Sequence, residues 1–285
     1  MSENTVQGSS AGSGPRPLYP PRAIEIADIV TYVIRDGRKV HVGGDDAKTF
    51  VERINVKCNY DRPHLSAAII GHEGCASGDI SLTIGADGEM KASEGVMHIP
   101  MTSEEANIVP EIVERNLFGR VAVFFDRDDT INKDVGHCKR AEDISIFPGV
   151  GDAMKRLNDA GLMTIMITNQ SVIGRGWLDE KGLEIIHEKV RNDVLPGRID
   201  DIFYCPHVPD AGCDCRKPAI GMALQALKKY NIDTLSSYMI GDSDRDIRFG
   251  EAIGCRSFKV SEEYTFVDAV NEILSDYEPK PKSIG

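Results

Sequence analysis

Four short apolar runs in the second half of the chain each end in residues able to do chemistry. VAVFF runs into Asp126-Arg127-Asp128-Asp129-Thr130 and MTIMI into Thr168-Asn169. SSYMI runs into Gly241-Asp242-Ser243-Asp244-Arg245-Asp246, and DDIFY into a cysteine cluster followed by Arg216-Lys217. Gathered in one crevice, these supply two carboxylates two positions apart, a hydroxyl, a lysine and a second acidic pair, an inventory suited to phosphoryl transfer. A phosphate dianion beside ionised Asp126 and Asp242 would carry about four negative charges, which pack together only with a divalent cation and a fixed positive group. Mg²⁺ and Lys217 meet that need, because carboxylate oxygen suits a hard cation whereas nearby thiolates suit Zn²⁺.

Cys205, His207, Cys213 and Cys215 read C-x-H-x5-C-x-C, three thiolates and an imidazole. Such a set closes a tetrahedral zinc site with no position left for water, which makes it structural. Zinc binding is worth on the order of 10 kcal/mol in small peptides, enough to fix a polar loop. The loop would hold Arg216 and Lys217, where a displacement of about 1 Å costs much of a catalytic group's effect. Arg216 offers a two-pronged grip on a phosphate, reacting or distal. The bland alternative is four unconnected core residues. An odd total of seven cysteines argues against a disulfide framework, and Cys58, Cys75, Cys138 and Cys255 read as small buried hydrophobes.

The elements that position these groups follow from periodicity. The apolar runs, with CRSFKV as a fifth, alternate with helical stretches: Val150, Met154 and Leu157 share one face, as do Leu183, Ile186 and Val190. Strand, helix, strand predicts a Rossmann-like parallel sheet covered on both faces, with ligands at the carboxyl ends of the strands. At 285 residues, two units are expected. A Ser/Gly/Pro-rich tail spans 1–22, a small α/β domain 23–116, a larger α/β domain 117–275 with its cysteine-rich loop at 205–215, and a second tail 276–285. AIEIADIVTYVIRDG and DDAKTFVERINV read as helices and RKVHVGG as a strand. A net charge of -12 without a Lys/Arg cluster disfavours nucleic acid and anionic membranes. With no long apolar run and no signal-peptide pattern, the chain reads as cytoplasmic.

A strand ending in Asp-x-Asp-x-Thr, a strand ending in Thr, a Lys, then Gly-Asp-x-x-x-Asp resembles the ordered motif set of the haloacid dehalogenase-like (HAD) phosphatases over residues 119–265. FFDRDDTIN, TNQSVIGRG and CPHVPDAGCDCRKP resemble the capless D-glycero-D-manno-heptose-1,7-bisphosphate phosphatases, with histidinol-phosphate phosphatases close behind. The resemblance implies a Mg²⁺-dependent enzyme removing the 7-phosphate of a heptose bisphosphate. Asp126 is then the nucleophile forming an aspartyl-phosphate, and Asp128 the general acid and base, protonated when substrate arrives. Thr168 holds a phosphoryl oxygen and Lys217 bridges phosphate and nucleophile. It further implies Mg²⁺ ligation by Asp126, the Asp128 carbonyl and Asp242, with Asp246 or Ser243 in support. Substrate contacts fall to Asn169, Gln170, Ser171, Arg175 and Arg216. Asp129 departs from the pattern, standing where the subgroup has a glycine suited to a sharp turn. Asp244 and Arg245 read equally well as a solvated pair, while Lys133 and Asp134 fall close enough to line the crevice. His137, His187 and Trp177 read as surface or packing residues.

GRKVHVGGDDAKTFVERI is faintly similar to the start of a sugar isomerase (SIS) domain, yet Thr49 stands in place of the metal-ligand histidine and Glu52 is one residue out of register. In EEANIV, Asn107 likewise replaces a histidine. The resemblance implies a shortened, catalytically inert unit that could dimerise; the alternative is an unrelated α/β appendage. At the level of function the rivals are a histidinol-phosphate phosphatase and a non-catalytic sugar-phosphate-binding or scaffolding protein.

Overall fold

The computed structural model describes residues 17–35, 40–44, 47–53, 68–70, 80–84, 89–93 and 96–277. Helix α1 (Pro21–Arg35) begins at a proline, which suits a first helical position because its missing N–H has no partner there. Residues 17–22, expected within an N-terminal tail, are instead built into the fold: Tyr19 is buried and the Leu18 N–H donates to the Ala252 carbonyl at 2.6 Å. Then come β1 (Val40–Gly44), α2 (47–53), β2 (Ala68–Ile70), β3 (Ile80–Ile84), β4 (Lys91–Ser93), β5 (Val96–Met101) and α3 (Ser103–Phe118). The strands pair in the order β2-β1-β3-β5-β4, parallel except for β4 against β5. Ile26, Val30 and Ile34 of α1 and Val109, Ile112 and Val113 of α3 share a core with Val40, Val42, Leu82 and Ile99 of the sheet. Thr102 and Glu105 form a reciprocal capping box at the start of α3, and Arg22 pairs with Glu105 at 2.7 Å. Because α3 runs to Phe118, the expected boundary at 116/117 falls inside a helix. Residues 1–16, Cys58, Cys75 and 278–285 lie outside the described residues.

The five apolar runs of the second half all become strands: β6 (Ala122–Phe125), β7 (Met163–Asn169), β8 (Asp201–Cys205), β9 (Tyr238–Gly241) and β10 (Arg256–Lys259). They form a second, fully parallel sheet in the order β10-β9-β6-β7-β8. Helices α4 (Val150–Asp159), α5 (Glu180–Asp193) and α8 (Phe266–Asp276) cover one face, through Met154, Leu157, Ile186, Val190 and Val270. Helices α6 (Gly221–Lys229) and α7 (Asp244–Ala252) cover the other, through Met222, Ala226 and Phe249. The chain builds β6, β7 and β8 to one side and then crosses over to β9 and β10. The strand order therefore reverses between β6 and β9, where open α/β sheets place their ligands. No helix among the described residues is long and apolar enough to cross a membrane.

On α5 the buried face holds Leu183, Ile186 and Val190 as expected, and also His187, which is 1 % exposed. Its ring meets Tyr204 edge-on at 5.6 Å, and its Nε2 has no hydrogen-bond partner among the described residues. Burial, aided by the charges of Arg127 and Arg191, holds the imidazole pKa down to about 3. A depressed histidine contributes stability above its unfolded value of 6.5 that is lost as pH falls toward 3. Urea unfolding of the parent should weaken below pH 6.5 by up to about 1.4 kcal/mol per unit from this group. A His187→Leu variant should show a shallower slope; parallel slopes would refute the assignment.

Candidate active site

The carboxyl ends of β6, β7 and β9 and the loop after β8 converge on a cleft of about 180 Å³. It is lined by Asp126, Asp128, Thr168, Asn169, Gln170, Ser171, Arg216, Lys217 and Asp242, nine of the ten residues expected at the catalytic centre and for substrate contact. The tenth, Arg175, lies beside Trp177 instead.

Lys217 organises the centre. Its side chain is 1 % exposed, and its Nζ lies 2.6 Å from the Ile167 carbonyl, 2.9 Å from Asp126 Oδ1 and 2.7 Å from Asp246 Oδ1. One carbonyl oxygen and two carboxylate oxygens thus surround the ammonium. Burial alone would lower the ammonium pKa, but Asp126 and Asp246 outweigh it and the net shift is upward. Asp246 is held in turn by Ser243, whose Oγ and N–H both donate to Oδ2 at 2.6 and 3.1 Å, in the capping box that starts α7. Burial pushes the Asp126 carboxyl upward against the pull of Lys217. Asp242 is pushed up to about 6 by burial and by the charges of Asp126 and Asp246.

The loop after β6 sets the two aspartates. Asp126 N–H donates to the Ile240 carbonyl at 3.0 Å, and the Arg127 carbonyl accepts from Ile131 and Asn132 at 3.0 and 3.1 Å. Asp129 has φ +52°, the only non-glycine in the left-handed region among the described residues, so the position expected to turn sharply does so without glycine. Its carboxylate accepts from the Asp134 N–H at 2.9 Å, a local bond that helps an aspartate tolerate this conformation.

Arg127 is the functional residue that the sequence reading missed. Its side chain is buried, with Nε and Nη2 donating to the two oxygens of Asp128 at 2.8 and 2.7 Å and Nη2 also to Gln170 Oε1 at 3.1 Å. Gln170 Nε2 donates to Asp128 Oδ2 at 3.2 Å and to Thr168 Oγ1 at 2.9 Å, so its amide is engaged in holding neighbours. The signal was an arginine directly between two acids at a strand end, but strand alternation would have pointed it away from them. Arg245 and His137 also line the cleft, and so does Asp134; Lys133 lines an adjoining groove.

Cys205, His207, Cys213 and Cys215 cluster at the end of β8, with Sγ–Sγ separations of 3.4 and 3.7 Å and Nδ1 to Cys215 Sγ at 3.2 Å. A tetrahedron of Zn–S bonds has edges of about 3.8 Å, so the donors fit zinc with small adjustments. Burial and the neighbouring thiols push Cys215 up to about 12, so metal must displace a proton there. Asp126, Asp242 and Asp246 form the second ligand group, with oxygens within 4.8 Å of one another. Asp126 and Asp242, crowded carboxylates with raised pKa values, suit a divalent cation, whereas both oxygens of Asp246 are engaged, by Lys217 and by Ser243.

A parallel α/β sheet with this acidic, lysine-bearing cleft at its switch point defines a phosphoryl-transfer hydrolase. A family model described as HAD-hydrolase-like matches residues 214–282. A D-glycero-beta-D-manno-heptose-1,7-bisphosphate 7-phosphatase of Haemophilus ducreyi is 39% identical over 148 residues, 49% of this chain and 81% of that protein. A D-glycero-alpha-D-manno-heptose-1,7-bisphosphate 7-phosphatase of Photorhabdus laumondii is 40% identical over 164 residues, 54% of this chain and 90% of the relative. The crystal structure of a D,D-heptose 1,7-bisphosphate phosphatase from B. bronchiseptica, complexed with magnesium and phosphate, superposes with a TM-score of 0.51 at 29% identity, covering 55% of this chain and 99% of that one. The chain belongs to the HAD-like phosphatases and is a phosphatase.

A Cβ placed on Gly241 would lie 2.3 Å from Asp246 Cβ and 2.5 Å from its Cγ. Gly241→Ala should displace Asp246 and with it Lys217, lowering kcat by at least about tenfold while costing about 1–3 kcal/mol of stability. Phosphate-release assays and urea unfolding check both numbers; unchanged kcat would mean that Asp246 does not govern Lys217.

Proposed function

We propose that the protein removes the 7-phosphate of D-glycero-D-manno-heptose 1,7-bisphosphate. The observation that carries this reading is the Lys217 ammonium 2.9 Å from Asp126, at the end of β6 and within the 164 residues that are 40% identical to such a phosphatase. Asp126 attacks phosphorus, forming a bond from its carboxylate oxygen as the bond to the sugar oxygen breaks. Asp128, oriented by Arg127 and Gln170, gives the departing oxygen a proton and takes one from the water that cleaves the aspartyl-phosphate. Thr168 and Lys217 hold phosphoryl oxygens where negative charge builds up. Asp126, Asp242 and the Asp128 carbonyl would hold Mg²⁺, which neutralises phosphate charge when bound. Asn169 fixes the lysine's backbone, accepting from the Lys217 N–H at 3.0 Å and donating to its carbonyl at 3.3 Å.

The cysteine cluster is read as a structural zinc site that holds the segment bearing Arg216 and Lys217. The N-terminal parallel sheet fits an inert SIS-like remnant, since Thr49, Glu52 and Asn107 are exposed on its helices and Glu52 pairs with Lys48. A sugar-phosphate substrate supports a cytoplasmic location.

The deciding assay is phosphate release with Mg²⁺ from heptose 1,7-bisphosphate, fructose 1,6-bisphosphate and histidinol phosphate. The heptose ester should be preferred and Asp126→Asn inactive; preference for histidinol phosphate, or release by Asp126→Asn at the parent rate, would overturn the reading. Stripping zinc with a chelator, or Cys205→Ser, should lower Tm by several degrees and reduce kcat, because the lysine-bearing segment loses its clamp. Calorimetry and metal analysis test this, and an unchanged Tm after complete zinc removal would refute a structural role.

A further inference from the structure

At about 180 Å³ the cleft is smaller than the range of about 300–1,000 Å³ usual for small-molecule sites, so most of a sugar bisphosphate must lie outside it. Two surfaces flank it. Toward α8, a groove of about 740 Å³ has Phe147, Val260 and Phe266 among its walls. Its one cation, Lys133, is outnumbered by Asp129, Asp242 and Glu262, so it repels a second phosphate.

The other flank carries Trp177, the only tryptophan of the chain and 48% exposed. Lys139 Nζ lies 4.7 Å and Arg175 Cζ 5.1 Å from its ring, within cation–π range, and the His137 ring meets it edge-on at 5.1 Å. His137 also lines the cleft, so the stack borders the site of reaction. Neither cationic group has a carboxylate partner among the described residues. The acids of the same segments are engaged elsewhere: Asp143 accepts from the backbone N–H groups of Lys139 and Arg140, Glu142 pairs with Arg140, and Asp179 caps α5 at Gly182. In a chain of net charge -12, two carboxylate-free cations fixed on an aromatic ring beside a phosphate cleft form an anion site.

We propose that Lys139 and Arg175, held against Trp177, bind the second, non-reacting phosphate of the substrate and so select bisphosphates over monophosphates. This rests on the sugar-bisphosphate reading above. The single tryptophan supplies the test. In the full-length Asp126→Asn protein with Mg²⁺, heptose 1,7-bisphosphate should change Trp177 emission saturably, and heptose 7-phosphate or inorganic phosphate should change it far less. In the active enzyme, Lys139→Ala and Trp177→Leu should each raise KM for the bisphosphate about fivefold, with kcat and the KM for the 7-phosphate nearly unchanged. Lys133→Ala, in the opposite groove, should leave the ratio of the two KM values as it is. Equal KM changes for both esters, none for either, or a response to Lys133→Ala alone would overturn the subsite. A parent enzyme that hydrolyses both esters with the same KM defeats the subsite alone; one that hydrolyses neither defeats the sugar-bisphosphate reading and the subsite with it.

Discussion

The buried ammonium of Lys217 is the constraint around which the site is built. An unpaired lysine taken out of water would lose its proton, and lone buried carboxylates would gain one. Here one carbonyl and two carboxylates lie within 2.9 Å of the ammonium, so burial yields a charged and rigid group. Such a pair adds little net stability, because desolvation consumes most of the attraction. Its value is geometric: it ties the ends of β6 and β7, the start of α7 and the segment after β8 to one atom. Phosphoryl transfer needs positioning and electrostatics above all, and this knot supplies both.

Each arm of the knot has its own support. Asp246 is fixed by Ser243 at the helix start, and Gly241 leaves room for it because even a methyl group would collide. The backbone of Lys217 is gripped by Asn169, and the Cys/His quartet closes immediately before Arg216. Asp128 is held from behind by the buried Arg127, itself shared with Gln170. These internal braces hold the geometry before substrate arrives.

Much of this was legible in the sequence. Five short apolar runs gave five parallel strands, and the residues closing them met because the carboxyl ends of a parallel sheet share one edge. The C-x-H-x5-C-x-C spacing gathered its four donors as read. Side-chain detail was less accessible. Arg127 stood inside the first motif without a role, since period-two alternation says nothing of a side chain that folds back along its own loop. Gln170 belonged to a substrate-binding string but is engaged in the network behind Asp128. Trp177 and His137 read as surface or packing residues and both are exposed, but the stack they form with Lys139 and Arg175 joins two segments that no local pattern brings together. In the N-terminal segment both early helices and the strand between them were legible, but the sheet order depends on pairings between strands far apart in sequence that no local pattern encodes.

The most direct test of the account is to trap the covalent intermediate. The full-length enzyme is mixed with Mg²⁺ and heptose 1,7-bisphosphate, quenched in acid within the first turnover, and its peptides are read by mass spectrometry. A phosphoryl group on Asp126, absent from Asp126→Asn, is the predicted result. Turnover with Asp126 unmodified at every quench time, or a phosphoryl group on another residue, would contradict the account.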